Sequence, residues 1–310
     1  MARAGGADRE AGRLVIGRLV IGRLVISRRG ALALGFAAAA ASPVRAQTPP
    51  RIVSVGSSLT EIVYALGAEN LLAGVDSTSL FPAAARALPQ VGYMRALSAE
   101  GVLALKPTLI MATTAAGPAA TLDQLRSTGI EVLVLPDHYD YDSVIGKIAA
   151  VGKVTGKTAE AEAMIARGRT EMQALAARLA AATSTPRVLF LLSMGGGAPQ
   201  AAGRDTAADG IIRLAGGINA IDGYSGYRQL APESVIASRA DFVLVTRQTV
   251  EAMGGIEAIL DQPALRRTPA GRNGKVLQFD TLLLLGFGPR TPQAATELAA
   301  ALHPEIARAR

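Results

Sequence analysis

Tyr93 and Arg95 stand two residues apart in Gly92-Tyr93-Met94-Arg95. On an extended or loop backbone that spacing points both side chains toward one bound object. The chemistry on offer is ligation of a metal centre. A free phenol ionises at about pH 10, and a neighbouring guanidinium favours the anion. A tyrosinate is a hard ligand for ferric iron, and Tyr is one of the side chains that hold a haem iron axially. The competing reading makes Tyr93 a cap on the core. Just downstream, Ser98, Glu100, Leu103, Leu105 and Pro107 read as a short helix start running into a strand, which leaves Glu100 exposed.

A second copy favours the ligand reading. A shift of 133 residues places Leu97, Glu100, Val102 and Ala104 on Leu230, Glu233, Val235 and Ala237, and both segments run on into an apolar strand. Tyr227-Arg228 stands close to the position matching Tyr93 and Arg95. Two such halves imply two similar lobes facing each other, with a ligand between them.

Other residues bear on that cleft. Pro136-Asp137-His138-Tyr139-Asp140-Tyr141-Asp142 is the densest aromatic and acidic patch in a chain with 4% aromatics, and it follows a strand end, where open α/β sheets bind ligands. His138 reads either as a second iron ligand or as a loop residue beside the cleft mouth. The loop reading is favoured, because no metal-ligating residues flank it at a recognised spacing. His303, beside Pro304 in the tail, reads as a surface residue. Met194 opens the glycine-rich turn Ser193 to Pro199, whose three glycines let the backbone approach something flat or bulky. Arg204 follows a glycine turn, and pairs with either a ligand carboxylate or Asp205.

The elements that must position these residues alternate between strand and helix. Arg51 to Val55, Leu71 to Val75, Thr108 to Ala112 and Glu131 to Leu135 read as strands of a first lobe, with Ser58 and Glu61 at capping-box spacing on its first helix and Gly67 as that helix's stop. The apolar stripe of Ala161, Met164, Ile165, Met172, Leu175, Ala176 and Leu179 predicts one long helix through 157–184. Arg187 to Leu192, Phe242 to Thr246 and Val276 to Phe279 are the strands of a second lobe, closed by a helix over Thr291 to Leu302. The expected fold is α/β, two Rossmann-like lobes with mostly parallel sheets joined by one long α-helix. The division is a leader at 1–46, an N-terminal lobe at 47–152, a linker helix at 153–185 and a C-terminal lobe at 186–310.

The leader carries three tandem copies of Gly-Arg-Leu-Val-Ile over residues 12–26, read as translated sequence upstream of the true start. Arg28-Arg29, the apolar run Ala31 to Ala41 and Val44-Arg45-Ala46 then form a twin-arginine-type export signal cleaved near Ala46. Export to the periplasm follows. The chain has no cysteine, which excludes disulfides and a lipid anchor on cysteine. Of 32 Lys and Arg and 25 acids, the first 46 residues hold eight Arg and two acids, so the remainder carries a net charge of +1. That balance gives no basic patch for nucleic acid.

The strand followed by Gly56-Ser57-Ser58-x-Thr60-Glu61, the Gly92-Tyr93-x-Arg95 and Leu97-Ser98-x-Glu100 segments, the run Ala201-Ala202-Gly203-x-x-Thr206-Ala207-x-Asp209 and the long linker helix together resemble the periplasmic haem-binding proteins of bacterial haem ABC importers. That group belongs to the helical-backbone class of binding proteins that also serves cobalamin and ferric siderophores. The resemblance covers residues 51 to 305. It implies haem b as transported ligand, Tyr93 as the axial iron ligand, Arg95 steadying the phenolate and Arg228 as a cleft residue of the other lobe. Tyr227, Met194, Arg204 and His138 complete the expected haem contacts. Glu100 and Glu233 would meet arginines of an inner-membrane permease dimer, and the protein would act as a monomer. The alternatives are a binding protein for another metal chelate, or an enzyme acting on a tetrapyrrole. Against an enzyme stands the lack of a nucleophile, His and acid set, of a paired-carboxylate site and of a phosphate loop.

Overall fold

The computed structural model describes residues 49–192 and 199–308. In the first lobe β1 (Ile52–Val55), β2 (Leu72–Val75), β3 (Leu109–Thr113) and β4 (Glu131–Leu135) form an all-parallel sheet in the order β2-β1-β3-β4. In the second lobe β5 (Arg187–Leu192), β6 (Gln200–Ala202), β7 (Ile218–Asn219), β8 (Tyr227–Gln229), β9 (Phe242–Thr246) and β10 (Val276–Phe279) form a six-stranded sheet. Its β10-β9-β5 part is parallel, β7 pairs parallel with the start of β5, and β6 and β8 add antiparallel strands beyond it. The α/β class with two Rossmann-like lobes is thus as expected, with one sheet fully parallel and the other mixed.

The strands show why the sheets are buried on both faces. Along β3, Leu109 and Met111 enter a large central core while Ile110 and Ala112 enter a separate outer cluster. Along β5 and β9, Val188, Phe190, Phe242 and Leu244 face the same central core, and Leu189, Leu191, Val243 and Val245 face a second outer cluster. Period-two alternation sends successive side chains to opposite faces, and a parallel sheet needs apolar residues on both. The inner faces of both sheets therefore belong to one continuous core, filled between them by Leu59, Ile148, Leu175 and Leu298 from four helices.

The internal repeat extends through the backbone. Short helices Ala99–Leu103 and Pro232–Ala237 each lead to a non-glycine residue in the left-handed region, Lys106 at φ 48° and Arg239 at φ 48°, and then to β3 and β9. Glu100 and Glu233 sit in the first turns of those helices, both exposed, where a carboxylate suits the helix dipole. Ser98 caps the first helix, its Oγ accepting from the Gly101 N–H at 3.4 Å; Pro232 opens the second.

Three expectations need correction. First, the one long helix expected between the lobes is present but shorter than 153–185: it is Thr158–Leu179, and a separate helix, Tyr141–Thr155, precedes it and ends at Gly156, whose φ is 72°. Residues 153–155 belong to that preceding helix, and residues 180–186 are not helical. The pair cross closely enough that a Cβ on Gly152 would lie 2.4 Å from that of Ala161. The start of the first helix was legible in Asp140-x-x-Ser143: the Asp140 carboxylate accepts from the Ser143 N–H at 2.7 Å. Second, Ser58 does not cap the helix Ser57–Ala65, which starts from Gly56 without a side-chain cap; Glu61 instead reaches the other lobe, where its carboxylate accepts from Arg290 at 2.7 and 2.9 Å. Third, His303 is fully buried, because the turn after Leu302 folds it against Gly216.

Candidate functional site

A cleft of about 660 Å³ opens between the lobes, beyond the carboxyl ends of the parallel strands. Three turns of the first lobe line it: Gly56 to Ser58 after β1, Thr113 and Ala115 at β3, and Asp137 and Tyr139 after β4. The second lobe contributes the end of β5, the segment Asp205 to Ala207, Tyr227 and the turn at Leu285-Gly286.

Tyr93 and Arg95 both line this cleft, as the two-residue spacing predicts. Backbone bonds hold their loop on both sides. The Ser77 N–H donates to the Gly92 carbonyl at 2.9 Å, the Gly117 N–H to Met94 at 2.9 Å, and the Leu97 N–H to Gly117 at 3.0 Å. Gly92, at φ 94°, makes the turn possible. The Tyr93 side chain is left projecting and 46% exposed, so its phenol faces the cleft rather than the core.

Tyr227 also lines the cleft, and Arg228 does not. Both lie on β8, where adjacent residues take opposite faces. Tyr227 turns inward to meet Phe190 edge-on at 6.3 Å, while the Arg228 guanidinium lies 4.9 Å over the exposed side's Tyr224 ring. Burial pushes the Tyr227 phenol up to about 12, and the neighbouring Tyr139 adds to the rise; Ala208, Thr206 and Arg95 pull weakly the other way. At neutral pH this phenol is protonated. Tyr139 is likewise raised by burial and by Asp137, with Arg95 opposing. Tyr139, Tyr227, Asp137 and Arg95 thus form one electrostatic neighbourhood across the lobes.

Arg204 is exposed and outside the cleft, as its loop is held by backbone bonds to Tyr224 and Gly226. Its neighbour Asp205 takes a bond from the Ser225 hydroxyl at 2.7 Å, so the pairing of Arg204 with Asp205 is not formed. His138 is exposed and is not among the residues that line the cleft, although its neighbours Asp137 and Tyr139 are. Met194 lies outside the described residues.

Several cleft residues escaped the sequence reading. Tyr139 lay in the aromatic and acidic patch without an assigned role; its ring meets Phe287 at 5.4 Å, and its carbonyl packs so close to Gly210 that a Cβ there would be 2.3 Å away. Asp137 is held by Lys147, an almost wholly buried lysine at 2.6 Å. Thr113 carries no motif of its own, and Ser58 was read as a helix cap rather than as a cleft residue.

A two-lobed α/β molecule with a cleft of this size between the lobes, lined by tyrosines and an arginine, has the form of a binding protein that encloses a small ligand. The chain belongs to the periplasmic binding protein family, whose model matches residues 52–281. The periplasmic heme-binding protein RhuT of Roseiflexus sp. RS-1, in its apo form, matches with a TM-score of 0.78 and 40% identity over 84% of this chain and 100% of its own. BhuT, a periplasmic heme-binding protein solved with two hemes, matches at 0.79 and 38% identity over 83% and 99%. By sequence, the cobalamin-binding protein of Halobacterium salinarum is 29% identical over 263 residues, 82% of this chain and 70% of its own.

Proposed function

We propose that this chain binds ferric haem b in the inter-lobe cleft and delivers it to an ABC transporter permease. The observation that carries the proposal is the projecting Tyr93 phenol beside Arg95 in a cleft large enough for a flat macrocycle. The other cleft phenol with a large shift, Tyr227, stays protonated to about pH 12 and suits hydrogen bonding rather than iron ligation. In this reading Tyr93 is the axial ligand, Arg95 stabilises its anion, and Tyr139 and Tyr227 contact the macrocycle from the first and second lobes. Among the described residues no histidine lines the cleft. The similarity to heme-binding proteins at 38 and 40% identity supports haem.

Glu100 and Glu233, exposed on repeated helices of the two lobes, serve in this proposal as paired contacts to arginines on a permease dimer. The leader directs export to the periplasm and is removed near Ala46, leaving a monomer. No described helix is long and apolar enough to cross a membrane.

Cobalamin is the second reading, favoured by the curated relative named for it. Titration of the purified protein with ferric haem and with cobalamin, followed by absorbance, separates the two. Tyr93→Phe deletes one oxygen and keeps the ring. The proposal expects it to lose most ferric-haem affinity and the ferric-tyrosinate bands. An unchanged spectrum and affinity in that variant would overturn the ligand assignment.

A further inference from the structure

Six residues beyond each of Glu100 and Glu233 stands a cation in an unusual backbone conformation. Lys106 and Arg239 are related by the same 133-residue shift as the two glutamates, and both are exposed. Each has φ 48°, in the left-handed region where a Cβ is unfavourable and glycine sits freely. Asp205 and Phe287 also take positive φ, and both use their side chains inside the molecule: Asp205 accepts from Ser225, and Phe287 packs on Tyr139. The side chains of Lys106 and Arg239 make no hydrogen bond or ion pair among the described residues. Strain kept at equivalent places for an unspent side chain points to a use outside the chain.

The ordinary role of a cation after a helix is already filled. The helices Ala99–Leu103 and Pro232–Ala237 end just before these turns, where a cation normally answers the negative end of the helix dipole. In each lobe a different arginine does so, from the start of the first strand. The Arg51 Nη2 donates to the Leu105 carbonyl at 3.0 Å, and the Arg187 Nε to the Ser238 carbonyl at 2.9 Å. Leu105 and Ser238 are themselves equivalent positions. The backbones repeat the match. The Arg51 N–H donates to the Thr108 hydroxyl at 2.9 Å and the Arg187 N–H to the Asp241 carboxylate at 2.9 Å, while the Thr108 and Asp241 N–H groups return to the Arg51 and Arg187 carbonyls at 2.9 and 2.8 Å. Both turns are thus fastened to their sheets, with Lys106 and Arg239 left exposed.

The repeat also selects the partner. Between residues 95–113 and 228–246 three charges recur: Arg95 with Arg228, Glu100 with Glu233, and Lys106 with Arg239. Arg95 lines the cleft and Arg228 lies over the Tyr224 ring, so the fold makes that pair unequal. What remains on each lobe is one glutamate and one cation. A permease of two equivalent halves can meet only what both lobes offer. A single cation per lobe with a glutamate nearby is not the basic cluster that an anionic lipid surface recruits. It suits one carboxylate on each half.

We propose that Lys106 and Arg239 form a second pair of docking contacts, each to an acidic side chain on one half of the permease. This rests on the docking reading of Glu100 and Glu233 and extends it: a surface carrying both signs on each lobe rejects a partner whose charges are reversed.

The test measures association and dissociation of the haem-loaded protein on the permease held in lipid nanodiscs, across a range of salt concentrations. Lys106→Gly/Arg239→Gly removes the charges and suits the backbone, so it should bind haem normally and unfold at a temperature no lower than wild type. Its association should be on the order of tenfold slower at low salt and depend less on salt, with dissociation little changed. Lys106→Gln/Arg239→Gln should match it, and Lys106→Arg/Arg239→Lys should behave as wild type. Wild-type association of the glycine and glutamine pairs, beside a Glu100→Ala/Glu233→Ala variant that docks poorly, would overturn this proposal alone. The same loss on permease-free nanodiscs of anionic lipid would give the cations to the membrane and overturn it too. Wild-type docking by all of these variants would overturn the glutamate reading as well.

Discussion

Removing the charge from Glu61 should loosen the two lobes from each other. Its carboxylate accepts two bonds from the Arg290 guanidinium, at 2.7 and 2.9 Å, across 229 residues of chain. Glu61 is 8% exposed at its side chain and Arg290 24%, and the guanidinium also lies 3.6 Å over the Phe81 ring. Glu61→Gln keeps the shape but replaces charge-assisted bonds with at best a neutral one. Charged bonds contribute about 1.5–3 kcal/mol and neutral ones about 0.5–1.5, so two bonds lose about 2 kcal/mol after allowance for the partial exposure of Arg290. For a chain of this size that lowers Tm by roughly 4–8 °C. Thermal unfolding by circular dichroism, at low salt and at about 1 M salt, reads the effect. A pair this shielded should be screened little, so the difference between wild type and variant should persist at high salt. The pair also lies just behind the cleft, whose Ser57 and Ser58 precede Glu61 and whose Leu285 and Gly286 precede Arg290. The variant should therefore release haem several-fold faster. A Tm within about a degree of wild type, or a deficit that vanishes in salt, would refute the role given to this pair.

The alkaline limb of stability should carry the signature of Tyr227. Its folded value of about 12 exceeds the unfolded value of about 10, so the neutral phenol contributes fully below about pH 10 and that contribution is lost as pH rises toward 12. Urea unfolding at roughly pH 9 to 11 should show wild-type stability falling and Tyr227→Phe falling less steeply; parallel slopes would contradict the burial argument. The same variant at neutral pH should leave the axial-ligand bands of ferric haem in place, since a protonated phenol is not the ligand. Glu100→Ala/Glu233→Ala should change stability by less than about 0.5 kcal/mol per site, because both carboxylates are exposed, and should bind haem normally. In proteoliposomes holding the permease that variant should fail to stimulate transport, since the lost carboxylates would otherwise form charge-assisted bonds at the docking surface. Wild-type transport would sink the docking role, and lost haem binding would put the glutamates at the cleft instead.

The amino-acid sequence by itself determined the local features. The uninterrupted apolar run Val188 to Leu192 reads as a strand buried on both faces, and the 3.6-residue stripe from Ala161 to Leu179 as a helix against a core, and both are so in the structure. The two-residue spacing of Tyr93 and Arg95 put both at one cleft, and the 133-residue repeat put Glu100 and Glu233 on equivalent helix starts. These hold because periodicity and short spacing are properties of the chain alone. Pairings across the chain were not legible. Glu61 looked like half of a capping box because its distant partner Arg290 has no sequence signature, and His303 looked exposed because its burial depends on the turn against Gly216. Arg228 and Tyr227 looked equivalent until the pairing of β6 with β8 assigned one to each face. Thr113 is one more strand residue in the sequence. Only the approach of Gly56, supplied by a neighbouring strand of the same sheet, turns its hydroxyl into an unpaired donor beside a helix start.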